Sequence, residues 1–154
     1  MKIFSKTKKQ SMKKIIVLLF VLTVVSKWSN AQCNKKILWT ATKEEFLDAN
    51  GQVTHADEDS VTLETSDSGI VINHNNIPQD QLTGTMKEMV CNWSEPFKNG
   101  KTSFKSDITE VSGDEHNGII TIEGKDGQIS ILIELTDKNG MRIKLYVSKY
   151  EEKA

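Results

Sequence analysis

The clearest pattern in the chain is an alternation of apolar and polar residues near its C-terminal end. Residues 129–135 and 141–147 carry an apolar side chain at every second position. A period of two buries one face of a β-strand and leaves the other in water, as is typical of antiparallel sheets. Turn dipeptides, Asp-Gly and Asn-Gly, join strands predicted over residues 118–124, 128–136 and 141–150. The C-terminal third is therefore predicted to be a three-stranded antiparallel meander.

A weaker form of the same alternation continues upstream. It predicts six more strands, over residues 37–46, 52–55, 61–65, 70–74, 82–93 and 102–111. Met86 and Met89 lie in opposite phases of the fifth of these strands, which predicts a β-bulge or bend. Residues 43–49 have enough helix propensity for a short helix to remain an alternative. The whole pattern predicts an all-β fold, an antiparallel up-and-down meander of about eight or nine strands that forms a barrel or a sandwich.

Before the predicted strands lies a segment of a different kind. Residues 1–31 contain seven Lys and no acidic residue, and residues 15–25 are almost entirely apolar. An apolar run this short suits the central region of a signal peptide better than a transmembrane helix. Ser29 and Ala31 supply the small residues of a cleavage site. We therefore expect residues 1–31 to be a signal peptide and residues 32–154 to be a single exported domain, periplasmic or extracellular, with no membrane span after cleavage.

The predicted cleavage changes the charge of the protein. The full chain has 20 Lys and Arg against 21 Asp and Glu, a net charge of −1, but residues 32–154 keep only 13 of the basic residues and carry −8. Phosphate groups repel a domain of this charge unless basic residues are concentrated in one patch. The sequence therefore disfavours nucleic acid as a partner, and it leaves the oligomeric state open.

The exported domain contains two cysteines, Cys33 and Cys91. Such a pair in an oxidising compartment favours a disulfide, with two free buried thiols as the alternative. There is no Cys-x-x-Cys motif and no His at ligand spacing from either cysteine. We therefore expect a structural disulfide that ties the start of the domain to its middle.

The sequence offers little that predicts catalysis or cofactor binding. No nucleophile motif, phosphate-binding loop or spaced metal-ligand pair occurs, so we predict no catalytic residues, no metal and no cofactor. The three histidines, at positions 55, 74 and 116, are expected at the surface. The acidic run Asp57-Glu58-Asp59 fails the EF-hand pattern, which favours a solvated loop and leaves a weak Ca²⁺ site as a hypothesis.

A Trp early in the first strand and a basic residue in the last one give the chain a resemblance to the lipocalin and calycin barrels. Here these are Trp39 and Arg142, the only Arg in the chain, although Ile37 stands where the family's Gly-x-Trp element has Gly. The resemblance implies that a hydrophobic ligand is bound inside a barrel. The residues it implies as ligand-binding are Trp39, Met86, Met89, Trp93, Phe104 and Arg142, with the inner face of residues 129–135.

Together these observations favour an exported, non-catalytic protein that binds a small apolar ligand or a cell-envelope partner. A small hydrolase that depends on scattered carboxylates is the alternative from another class. A purely structural envelope protein is the third possibility.

Overall fold

The structure, a computed structural model, describes Cys33 and residues 35–154. The predicted signal peptide lies outside the described residues. The described chain folds into ten β-strands and one short 3-10 helix, Pro78–Asp80. The strands are β1 (Ile37–Leu47), β2 (Val53–Asp57), β3 (Val61–Ser66), β4 (Gly69–His74), β5 (Leu82–Gly84), β6 (Lys87–Glu95), β7 (Asn99–Glu110), β8 (Glu115–Lys125), β9 (Gln128–Leu135) and β10 (Met141–Glu152).

Eight of these strands form a closed antiparallel barrel. Neighbouring strands follow the chain in the order β1, β3, β4, β5, β7, β8, β9 and β10, and β10 pairs with β1 to close the sheet. Closure leaves no free edges around the barrel, because every one of these strands has a neighbour on both sides. The all-β, up-and-down prediction is confirmed, and of the two architectures left open the barrel is the one observed.

Two strands lie outside this closed path. Strand β2 pairs with the second half of β1, and β6 pairs with the first half of β7. The single strand predicted over residues 82–93 is thus two strands, β5 and β6, and Glu88 has a positive φ of 50° close to the break. The helix alternative for residues 43–49 is wrong, because β1 remains extended to Leu47 and pairs with β10 over that length.

A bulge divides β1 into two halves of opposite phase. Ile37, Trp39 and Ala41 are buried in the barrel, whereas Thr42 and Lys43 are both exposed and Glu44 is buried. The pairing of β1 with β10 shifts register on both sides of Ala41. An extra residue in one strand inverts the facing of every residue that follows it. Even-numbered residues therefore point inward after the bulge, and the first of them is a carboxylate.

Aromatic residues fill one end of the barrel, which we call the closed end. The aromatic cluster consists of Trp39, Trp93, Phe97 and Tyr150, with Phe97 at its centre and ring centroids 5.3–5.6 Å from the other three. The indole nitrogens donate hydrogen bonds to Thr65 and Thr102, so both buried N–H groups are satisfied. The cluster therefore packs the interior at this end.

A disulfide joins Cys33 to Cys91, as predicted. It connects the residues that precede β1 to β6, beside the closed end, across a sequence separation of 58. A cross-link over a loop of this length removes unfolded-state entropy worth about 4 kcal/mol in the chain-entropy model. The N-terminal end of the described chain is thereby fixed to the barrel wall.

A glycine in β8 is required by the aromatic cluster. A β-carbon at Gly124 would lie 2.7 Å from Cζ3 of Trp93 and 3.2 Å from the backbone of Lys98. We expect Gly124→Ala to destabilise the barrel by about 1–3 kcal/mol through overpacking, measured as the change in free energy of unfolding in urea. Combining it with Trp93→Phe, which removes the crowding ring, should cost less than the sum of the two single changes. Strict additivity would contradict this packing.

Candidate functional site

The opposite end of the barrel, which we call the open end, contains a cavity of about 410 Å³. This volume falls within the range of small-molecule sites. Its apolar lining comes from seven strands and includes Phe46, Val61, Ile72, Leu82, Ile108, Ile133, Leu135, Ile143 and Leu145. The 3-10 helix and the residue after it contribute Gln79, Asp80 and Gln81 at the rim. The cavity is thus a largely apolar chamber with a polar mouth.

Strand alternation aims several ionisable side chains at this mouth. On β4, His74 shares the inward phase of Ile70 and Ile72, and it is the last residue of the strand. On β7, Glu110 follows Ile108 in the same phase, and His116 is the first inward residue of β8. Side chains two residues apart in a strand share one face. The inward-facing positions that carry core residues along these strands therefore carry polar side chains where the strands reach the open end.

The first polar group at the mouth, the Glu44 cluster, consists of Glu44, Asp59 and His74. Nε2 of His74 lies 2.8 Å from Oε1 of Glu44 and 3.3 Å from Oδ2 of Asp59. Glu44 is only 4% exposed. A buried carboxylate requires a partner, and the imidazole N–H supplies it.

The Glu44 cluster is also the group of residues with the geometry closest to a metal site. One ligand atom from each of its three residues lies within 4.8 Å of the others. However, Oδ1 of Asn75 accepts a hydrogen bond from the Ser60 backbone, so the Asn75 amide nitrogen faces Nδ1 of His74. Nδ1 is then the acceptor, and the ring proton belongs on Nε2. This tautomer suits a hydrogen bond to the carboxylates rather than a metal bound through Nε2.

The second polar group, the His116 cluster, joins three elements of the open end. His116 is 9% exposed, and its Nδ1 and Nε2 lie 3.0 Å and 2.9 Å from carboxylate oxygens of Asp137 and Glu110. Hydrogen bonds to Asp137 and then to Glu110 raise the pKa of His116 above its ordinary value of 6.5. The bond to His116 likewise lowers the pKa of Asp137. Two flanking acceptors favour the doubly protonated imidazolium ring.

This arrangement differs from that of a catalytic histidine. Ser112 lies beside the cluster, and its Oγ is 3.1 Å from a carboxylate oxygen of Asp114 and 3.4 Å from one of Glu110, so its single O–H is directed at carboxylates. Nε2 of His116 faces Glu110 rather than a hydroxyl, so the pair does not form the base-and-nucleophile geometry of acyl transfer. The cluster therefore acts as an ion-paired link between β7, β8 and the turn after β9.

The six residues that the resemblance implied as ligand-binding lie away from this cavity. Trp39, Met86, Trp93 and Phe104 surround a small space of about 20 Å³ at the closed end. Met89 is 39% exposed on β6. Within residues 129–135, Ile133 and Leu135 do line the open-end cavity. The structure thus brings four of the six together, in the packed end of the barrel.

Arg142 lies on β10, away from Trp39. In the pairing of β1 with β10, Arg142 is opposite Leu47, whereas Trp39 is opposite Tyr150. Its Nε donates to Glu134 at 2.8 Å. The neighbour of Trp39 on the last strand is therefore an aromatic ring, Tyr150, rather than the guanidinium group.

The histidine prediction is correct for one residue and wrong for another. His55 is exposed, with 64% of its side chain accessible, and pairs with Asp57. His116 is buried because it shares the inward phase of Ile120 and Ile122. His74 is partly exposed at the mouth. Two acidic residues of the predicted loop, Asp57 and Asp59, each pair with a histidine.

Sequence reasoning missed Glu44, Glu110 and the two mouth histidines as site residues. A signal was present for Glu44, because Phe46 is out of phase with Trp39, which indicates a bulge between them. For His74 and Glu110 the signal was their place in the inward phase of a predicted strand.

Comparison with known proteins gives no relationship for this chain. No protein-family model matches it, and no curated protein sequence is significantly similar. The closed eight-strand antiparallel barrel is compatible with a lipocalin-like architecture, and no family relationship is shown. Within the described residues, no helix is long and apolar enough to cross a membrane.

The His116 cluster predicts a pH dependence of stability. A raised histidine pKa contributes stability that is complete below about pH 6.5 and is lost as the pH rises through the folded-state value. We expect His116→Gln to lower the thermal midpoint at about pH 5.5, and the deficit to shrink at about pH 9. His55→Gln, at an exposed pair, is the matched control and should have little effect at either pH. A deficit that is the same at both pH values would contradict the assignment.

Proposed function

We propose that this chain is an exported, non-catalytic barrel protein that holds a small apolar ligand in the open-end cavity. The observation that carries the proposal is the cavity itself, about 410 Å³ with a mainly apolar lining. Well-packed interiors leave few voids larger than a water molecule, so a chamber of this size in a small barrel needs a reason. Ligand binding in a lipocalin-like manner supplies one.

The contrast between the two ends of the barrel supports the same conclusion. Four aromatic rings pack the closed end, whereas Phe46 is the only Phe, Tyr or Trp among the described residues that line the open-end cavity. The barrel is thus stabilised by packing at the closed end, and the open end is available for a ligand. Binding sites in β-barrels commonly lie at such a mouth.

A fluorescent probe tests the binding proposal. N-phenyl-naphthylamine is neutral, apolar and small, and its emission rises when it leaves water. We expect it to bind with micromolar affinity, and Leu135→Trp, which adds volume to the cavity wall, to weaken binding by about tenfold or more. Leu132→Trp makes the same change on the outer face of the same strand and should leave binding unchanged. Equal binding by both variants would refute the cavity as the site.

Export is the second part of the proposal. The signal-peptide pattern of residues 1–31 and the Cys33–Cys91 disulfide support it, since disulfides persist mainly outside the cytoplasm.

Expression of the full chain in a bacterium tests export. We expect mature protein that begins at Gln32 in the periplasm or medium, with the two cysteines oxidised. Leu19→Lys, which places a charge in the apolar run, should retain an uncleaved, reduced precursor. A native chain that stays uncleaved in the cytoplasm would count against export, without bearing on the cavity.

A further inference from the structure

The carboxylate of Glu44 is unusual in its surroundings. The bulge in β1 turns this side chain inward, opposite Leu145 in the pairing with β10, and both residues line the cavity. Oε1 accepts from Nε2 of His74, and within the described part of the chain Oε2 has no hydrogen-bond partner. The Glu44 side chain as a whole is buried, but Oε2 is not among the described atoms that are sealed from solvent, so this oxygen can be reached from the cavity. It therefore offers a strong acceptor to any donor that enters the cavity.

The rest of the mouth has the same sign of charge. Among the described residues that line the cavity, the ionisable ones are Glu44, His74, Asp80, Glu110 and His116, and none is Lys or Arg. Asp59 and Asp137 complete the two clusters. Five carboxylates outnumber two imidazoles, so the mouth is negative even when both rings are protonated. Lys138, which follows Asp137 and lowers the pKa of His116, does not reverse this balance.

This charge distribution discriminates between classes of apolar ligand. A fatty acid would bring its carboxylate to a mouth of like charge, where both histidines already pair with acidic residues. A neutral lipid would leave Oε2 of Glu44 desolvated without compensation. An alkylammonium ion satisfies both requirements, because its chain fills the apolar lining and its N–H groups form charge-assisted hydrogen bonds.

We infer that the cavity selects a cationic amphiphile, a ligand with an apolar body and a primary ammonium head that is bound by Glu44. The inference rests on the proposed function, since it names the ligand class of the same cavity. His74 is a positioning residue in this arrangement, because it holds Oε1 and leaves Oε2 for the ammonium group.

Three probes with eight carbon atoms each test the inference. Octylamine and octanol have the same alkyl chain and differ only in the head group, whereas octanoate has a carboxylate in place of the first methylene; each is titrated against the chain loaded with N-phenyl-naphthylamine. We expect octylamine to displace the fluorophore at about one-tenth the concentration of octanol or less. Octanoate should be the weakest competitor.

Two variants separate the bound head group from general charge. Glu44→Gln keeps the size of the side chain and an acceptor for His74, and it should abolish the preference for octylamine while changing octanol affinity by less than about twofold. Glu123→Gln removes the same charge from the exposed outer face of β8 and should keep the preference. Thermal unfolding of each variant verifies that the barrel is folded.

The outcomes distinguish the two proposals. Equal affinity for octylamine and octanol, or tighter binding of octanoate, overturns the cationic ligand and leaves the apolar site intact. Failure of the fluorophore and all three probes to bind overturns the proposed function. Binding of Zn²⁺ that competes with octylamine and is lost in both Glu44→Gln and His74→Ala would reassign the Glu44 cluster to a metal and overturn the ammonium assignment.

Discussion

The bulge in β1 is the local feature on which the character of both ends of the barrel depends. Strand β1 contacts β10 along its whole length, so its facing fixes which side chains enter the interior. Before the bulge, the inward residues are Ile37, Trp39 and Ala41, of which Trp39 belongs to the aromatic cluster. After it, they are Glu44 and Phe46, which line the cavity. Without the extra residue, Lys43 and Glu45 would point inward and Glu44 would face solvent.

The two ends of the barrel differ in what fills them: aromatic rings pack the closed end, and a cavity occupies the open end. Aromatic packing, the disulfide and the satisfied indole N–H groups are concentrated at the closed end. At the open end, the ion pairs of the His116 cluster connect β7, β8 and the turn after β9. A site that must admit a ligand is built from the less densely packed part of a fold. Packing at the closed end compensates for the less dense packing at the open end, because the same hydrogen-bonded strands run through both ends of the barrel.

Much of the fold follows from local pattern. Residues 129–135 and 141–147 alternate strictly, and their turns contain Gly in positions that accept positive φ, so β9 and β10 were predicted within a few residues. Barrel closure was less accessible, because it depends on the pairing of Ile37 with Glu152, residues at opposite ends of the described chain. Sequence spacing alone leaves such a contact undetermined.

The site was harder to predict than the fold for a physical reason. The aromatic and Met residues that the lipocalin resemblance implies as ligand-binding are large apolar groups, and large apolar groups fill a core as readily as they line a cavity. Trp39, Trp93 and Phe104 do the former at the closed end. The residues that mark the mouth are small in number and polar, and their inward facing depends on strand phase. In Glu44 that phase is inverted by a single extra residue.

The pairing of Ile37 with Glu152 also places both ends of the described chain at the same end of the barrel. Both ends of the described chain emerge beside the aromatic cluster, at the face farthest from the cavity. An attachment made directly at either end of the described chain, whether a fusion partner or a solid support, therefore lies beside the closed end and away from the mouth. The ends of the described chain and the cavity thus lie at opposite ends of the barrel.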